Sequence, residues 1–181
     1  RPLAGLATWL GATVRCRGAK ASAARRIVGD GAEVLAASFR VSVGRRVPYV
    51  LAAEAGSRRL VLALRGTLSL ADVVADLEVD AVPLEPGEAA AVPEVARLAE
   101  GEAAAHGGML RLARAMLAEV GPLLAHHHAR VGGGWRVVVT GHSMGGGVAA
   151  LLTLLLRGGC HGHPALPSAT CVAIGPPGGT V

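Results

Sequence analysis

The sequence predicts an α/β fold built on a parallel sheet. A valine-rich run, Trp135 to Thr140, leads straight into a glycine-rich turn over Gly141 to Gly147. A nearly all-apolar stretch, Val148 to Leu156, leaves that turn and reads as a buried helix stopped by Gly158-Gly159. A second short apolar run, Ala169 to Ile174, then reads as another buried strand. Strand, helix and strand in this order imply a right-handed crossover between parallel strands.

Composition supports a packed core. The chain has 181 residues, 51% of them hydrophobic and 17% charged, which excludes an intrinsically disordered polymer. Its 26 glycines follow no triplet period, which excludes a collagen-like repeat. One Phe, one Tyr and two Trp leave the core to Ala, Val and Leu. No apolar run approaches the roughly 18–20 residues of a membrane span. Cys16, Cys160 and Cys171 are an odd count without CxxC spacing, so neither a disulfide scaffold nor a cysteine-rich zinc site is expected. Cys171 reads as a small core hydrophobe.

Charge is unevenly placed. Residues 1–65 hold twelve basic and three acidic side chains, and the rest hold six and ten. An arginine-biased solvated surface is the plain reading, and attraction to an anionic membrane face the functional one. Nucleic acid is not an expected partner, because interleaved stacking aromatics are missing.

Along the chain, residues 1–46 form an Ala/Arg-rich segment with weak patterning, in which a helix is expected around Ala21 to Arg40. The second segment, 47–181, is sharper. Val47 to Ala53 and Arg59 to Leu64 flank a Gly56-Ser57 turn and should pair as a hairpin. Leu68 to Leu77 has helical spacing, with Ser69 as a candidate N-cap. Residues 81–105, rich in Pro, Glu and Ala, read as a surface excursion with at most a short helix. Gly108 to Ala129 reads as a long amphipathic helix with a kink expected near Gly121-Pro122.

Gly141-His142-Ser143-Met144-Gly145 fits Gly-x-Ser-x-Gly. The pattern alone is weak; the buried strand before it and the apolar helix after it give it meaning as a nucleophile elbow. A tight turn there puts the serine in a strained conformation, so residues two before and two after must lack bulk. Ser143 is the candidate nucleophile. The N–H of Met144, at the start of the helix, is one candidate oxyanion donor. A second donor must come from a loop at the same sheet edge, and Thr67 in Arg65-Gly66-Thr67 can supply an N–H and a hydroxyl.

Five stretches together resemble the class 3 (fungal-type) lipases: Val61 to Ser69 with Arg65-Gly66-Thr67-Leu68-Ser69, Asp72 with Asp76-Leu77, His106-Gly107-Gly108-Met109, Val139 to Gly147, and Gly175-Pro176-Pro177-Gly178-Gly179. Within that family they look most like sn-1-specific diacylglycerol lipases. The resemblance covers about Val47 to Val181. It implies an incomplete α/β-hydrolase fold, running from its N-terminal part through the nucleophile elbow and the following strand. It also implies a serine lipase acting through an acyl-enzyme, with diacylglycerol cleaved to monoacylglycerol and fatty acid at a membrane or lipid surface. Ser143 matches the nucleophile, and Thr67 and Met144 the oxyanion hole. Leu68, Leu70, Val73 and Val74 fall where such lipases carry a mobile lid over the substrate. The chemistry requires no cofactor and no metal; calcium enters only through the resemblance. Membrane association of the full-length protein is implied in the same way. The alternatives are another class 3 lipase, acting on a triacylglycerol, phospholipid or galactolipid, or a truncated non-catalytic fragment.

One departure bears on activity. The fold needs an acid and then a histidine after the serine. After Ser143 there is no Asp or Glu, and only His161 and His163 follow, on a loop before the next strand. The resemblance puts the acid and the histidine beyond Val181, so these residues alone are expected to be nearly inactive. His142, beside the nucleophile, should point away from it. His126, His127 and His128 project in three directions on a helix and make a poor metal site. Asp72 and Asp76 read as the polar face of a lid helix.

Overall fold

The structure, a computed structural model, describes residues 31–42, 45–66, 80–90, 103–178 and 180. Five strands form the main sheet: β1 (Glu33–Ser38), β2 (Tyr49–Glu54), β3 (Arg59–Leu64), β6 (Arg136–His142) and β7 (Thr170–Ile174), in the order β1-β2-β3-β6-β7. The first three pair antiparallel, and β3, β6 and β7 run parallel. Short strands β4 (Ala81–Pro83) and β5 (Ala104–His106) pair separately. Helices α1 (Pro86–Ala89) and α2 (Gly107–Val131) lie between β3 and β6, and α3 (Met144–Gly158) lies between β6 and β7.

The side-chain period of two sorts the sheet into two faces. Leu51, Leu60, Leu62, Leu64, Val137 and Val139 point into a core shared with α2 and α3. Val50, Ala52, Val61, Ala63 and Val138 form a second buried cluster on the opposite face. Burial on both faces explains why β3 and β6 read as unbroken apolar runs. Helix α3 packs on α2 and on strands β6 and β7. Its apolar surface, including Val148, Leu151, Leu152 and Leu155, is buried nearly all round.

The hairpin forms as expected, closed by a 3-10 turn at Ala55–Ser57 with Arg58 in the left-handed region at φ 51°. The long helix forms as well and runs through Pro122. Four expectations need correction. The helix expected around Ala21 to Arg40 is not a helix where it is described: Glu33–Ser38 is a strand on β2, because an Ala- and Val-containing run beside an open strand edge gains a ladder of backbone hydrogen bonds. That strand precedes Val47 yet belongs to the same sheet as the rest. The excursion at 81–105 contains α1 and also the β4–β5 pair. The turn over Gly141 to Gly147 shrinks to Ser143, because β6 extends to His142 and α3 begins at Met144. Strand β7 is half-buried rather than buried. Residues 1–30 and 67–79, with the expected Leu68 to Leu77 helix, lie outside the described residues.

Candidate active site

Strands β3 and β6 end level with each other, since Leu64 pairs with Gly141. On the other side β6 pairs with β7 through His142 and Ile174. The turn after β6 therefore rises at the carboxyl edge of the sheet between two neighbouring strand ends, the crevice where open α/β sheets place their sites.

Ser143 is the turn. Its backbone sits at φ 55°, ψ −132°, a conformation that side chains rarely adopt. Its N–H donates to the Ile174 carbonyl at 2.9 Å, and its carbonyl accepts from Gly146 N–H at 2.8 Å and Gly147 N–H at 3.2 Å. The first bond ties the turn to β7 and the others start α3. The hydroxyl caps no helix N–H, so it is not committed to the backbone. Ser143 is half-buried, and Met144, the first residue of α3, is buried.

The glycines make this geometry feasible. A Cβ on Gly141 would run into the carbonyl of Gly145 and come within 2.8 Å of Gly146 N. A Cβ on Gly145 would stand 2.7 Å from Gly66 N and 2.9 Å from the Leu64 carbonyl oxygen. A Cβ on Gly66 would stand 2.5 Å from the His142 carbonyl oxygen. The obstacle is backbone in every case, and backbone cannot swing aside. The end of β3 and the Ser143 turn are thus in direct main-chain contact, which places Gly66, the residue before Thr67, against the start of α3. Thr67 itself lies outside the described residues, as do Leu68, Leu70, Val73, Val74, Asp72 and Asp76.

The N-terminus of α2 reaches the same place. Gly147, in the first turn of α3, leaves room for the sulfur of Met109, against which a Cβ would collide. Thr180 Oγ1, hydrogen-bonded to the Pro177 carbonyl at 2.7 Å, also lies beside Gly147, 3.3 Å from where a Cβ would stand. His106, at the start of α2, has a buried Nδ1 with no hydrogen-bond partner among the described residues.

The other histidines are elsewhere. His142 is exposed. His161 donates from Nε2 to Glu88 Oε1 at 2.9 Å, and His163 lies over Gly121 of α2. Both follow α3, roughly 20 Å from Ser143 at 1.5 Å of rise per helical residue. His126 and His127 meet edge to face, and His128 contacts the Trp135 carbonyl. Among the described residues, no histidine is hydrogen-bonded to Ser143.

Sequence reasoning missed the most elaborate polar cluster. Glu88 on α1 is 1% exposed. Arg114 of α2 grips both its oxygens, Nε to Oε1 and Nη2 to Oε2, each at 2.8 Å. Glu85 N–H donates to Oε2 at 2.9 Å, closing a capping box at the start of α1. Burial alone would raise the Glu88 pKa; the hydrogen bonds from Arg114, Glu85 N–H and His161, with the Arg114 charge, outweigh it and bring it down to about 2. Glu85, Glu88 and His161 stand at metal-ligand spacing. Arg114 already supplies the positive charge there, also reaching Glu85 at 3.2 Å. One local signal existed: Glu85 followed three residues later by Glu88 around Pro86 marks a helix start.

Comparison with known proteins agrees with this architecture. Residues 61–178 match the family model described as Lipase (class 3). The chain is 31% identical over 134 residues to diacylglycerol lipase-beta of Mus musculus, covering 74% of this chain and 18% of that protein. It is 30% identical over 143 residues to diacylglycerol lipase-alpha of Homo sapiens, covering 73% and 12%. The chain thus spans less than a fifth of the length of these relatives. Among solved structures, the Lip2 lipase from Yarrowia lipolytica superposes with a TM-score of 0.62 at 24% identity, over 83% of this chain and 49% of that one. A Rhizomucor miehei lipase–propeptide complex gives 0.67 at 18% identity, over 95% and 51%. The fold is that of the α/β-hydrolases, in part.

Proposed function

The chain belongs to the class 3 lipase family, and from that premise we propose that it carries the nucleophile and oxyanion-binding part of a serine lipase that cleaves an acyl ester of diacylglycerol. One observation supports this most directly: a serine held at positive φ between a buried strand and a buried helix, where glycines 141 and 145 leave no room for a side chain. A fold seldom maintains such strain without use for it.

Ser143 Oγ attacks the ester carbonyl carbon while its proton passes to a histidine base oriented by a carboxylate. The carbonyl oxygen becomes an oxyanion held by the N–H groups of Met144 and Thr67, with the Thr67 hydroxyl assisting. Donors held in place before the reaction cost no reorganisation as charge develops. The ester C–O bond breaks, the base returns its proton to the departing glyceride oxygen, and monoacylglycerol leaves. Water, deprotonated by the same base, then attacks the acyl-enzyme and releases the fatty acid. No step calls for a metal or cofactor. Leu68, Leu70, Val73 and Val74 cover the substrate in the manner of a lid, and the whole protein works at a membrane or lipid surface where its glycerolipid substrate resides. None of the described helices is long and apolar enough to cross a membrane. Diacylglycerol is preferred over other glycerolipids because diacylglycerol lipase-beta of Mus musculus and diacylglycerol lipase-alpha of Homo sapiens, similar to this chain at 31% and 30% identity, carry it in their names.

A fluorophosphonate probe applied to the natural full-length protein should label Ser143. Ser143→Ala should abolish both labelling and release of fatty acid from diacylglycerol. Labelling that persists in Ser143→Ala removes the mechanism, and hydrolysis of triacylglycerol with diacylglycerol spared moves the substrate.

A further inference from the structure

Helices α2 and α3 pack on each other and touch in their first turns, where Gly147 of α3 leaves room for the Met109 sulfur of α2. The residues that open the two helices are His106 and Ser143, and neither side chain caps its helix. Ser143 keeps its hydroxyl for the reaction. His106 is half-buried; its neighbour Ala105 lies in the core, and alternation along β5 turns the imidazole to the other side. Its Nδ1 is shut off from solvent and has no hydrogen-bond partner among the described residues. A ring nitrogen stripped of water and left unpaired is costly, and native folds rarely keep one without a use.

The orphan atom belongs to the same end of the helix pair as the nucleophile. Met109 follows His106 by three residues and Gly147 follows Ser143 by four, so roughly 4.5 and 6 Å of helical rise separate the opening residues from the contact. With packed helix axes about 8–10 Å apart, the two opening residues stand about 8–14 Å from each other. A glycerol backbone reached by a serine side chain at one end and an imidazole at the other spans that gap.

We infer that His106 Nδ1 pairs with the free hydroxyl of the diacylglycerol and so favours this substrate over triacylglycerol. The inference rests on the diacylglycerol reading above and adds the residue that recognises the glycerol. Nδ1 is a donor in one imidazole tautomer and an acceptor in the other; a hydroxyl answers both, whereas the ester that replaces it in triacylglycerol only accepts. A site built to bond a hydroxyl rejects the analogue lacking it, because the protein's own polar atom then stays buried and unpaired.

The test uses the full-length protein and two substrates in identical mixed micelles: a diacylglycerol, and the matching propanediol diester, in which hydrogen replaces the free hydroxyl. Rates are expressed per site titrated with a fluorophosphonate, so any unfolded fraction drops out. Wild type should favour the diacylglycerol by about 10–100-fold in kcat/KM. His106→Phe should lose that preference on the diacylglycerol and stay within about threefold of wild type on the diester. His106→Asn, whose amide ends where Nδ1 stands, should keep most of the preference; His106→Gln, one methylene longer, should not. Wild type cleaving both substrates alike overturns the inference, as does His106→Phe slowing both equally, the mark of a merely structural residue. Should the variants not fold, the structure of wild type carrying a diacylglycerol-like phosphonate on Ser143 decides the point. The glycerol hydroxyl on His106 Nδ1 supports the inference, and a water there with the hydroxyl elsewhere overturns it. If diacylglycerol hydrolysis survives Ser143→Ala, the acyl-enzyme reading itself has failed; if it needs Ser143 but ignores the hydroxyl, only this inference has.

Discussion

Arg114 Nε and Nη2 each stand 2.8 Å from a different oxygen of the buried Glu88 carboxylate, joining α2 to α1 in a two-pronged ion pair. His161, beyond the end of α3, completes the cluster, so α2 and the segment after α3 both meet the one carboxylate of α1. Arg114→Met would leave that charge buried without its main partner. The expected loss is about 3–5 kcal/mol of unfolding free energy, measured by urea denaturation.

The same cluster gives a pH dependence. The folded Glu88 pKa, about 2, lies below its unfolded value of 4.5. The stabilisation is therefore present above pH 4.5 and drains away as pH falls towards 2. Stability followed from pH 6 to pH 2 should decline over that window, and the decline should be shallower in Glu88→Gln. Parallel curves for the two proteins would show that Glu88 does not govern the acid limb.

Strain at Ser143 predicts a trade of function for stability. Ser143→Ala keeps the positive φ on a residue with a Cβ; Ser143→Gly removes the conflict. Left-handed strain costs on the order of 1–3 kcal/mol, and the extra unfolded-state freedom of glycine returns roughly 0.5–1. The glycine variant should be about 1 kcal/mol more stable than the alanine variant in urea, with both inactive. Equal stability would mean that the turn holds no strain.

Helix α3 ends at Gly159, left-handed at φ 64°. A Cβ there would stand 2.9 Å from Ala165 N. Gly159→Ala combines a φ penalty with a backbone clash and should cost about 1–2 kcal/mol or more, seen as a lower Tm. Gly133→Ala, with open space around it, should change little.

The described cysteines should be sluggish. Burial pushes the Cys171 thiol up to about 11, against a hydrogen bond from Thr153. Burial also raises Cys160, which donates to the Gly87 carbonyl, and the charges of Glu88 and Glu85 add to it. Little thiolate is present at pH 8 in either. Brief iodoacetamide treatment followed by peptide mapping should leave both unmodified in the folded protein and alkylate both in urea.

Much of the candidate site was legible because its signals are local. The valine run, the Gly-x-Ser-x-Gly spacing and the apolar helix lie within 22 consecutive residues, 135–156. The hairpin was legible for the same reason, its turn lying between two short apolar runs. Strand β1 was not: an Ala-containing run is open to helix or strand, and the free edge of β2 decided it. The burial of Glu88 was not, because its side-chain partners Arg114 and His161 are 26 and 73 residues away.

By itself, then, the sequence determined the α/β class, the order of strand, turn and helix around Ser143, and the glycines that turn demands, since steric limits on φ and ψ act between close neighbours along the chain. Only the tertiary structure decided that Gly66 abuts Gly145, that Met109 lies on Gly147, and that Glu88 is buried under Arg114. Those contacts arise where segments far apart in sequence exclude water from one another, and no local spacing encodes which distant partner fills the gap.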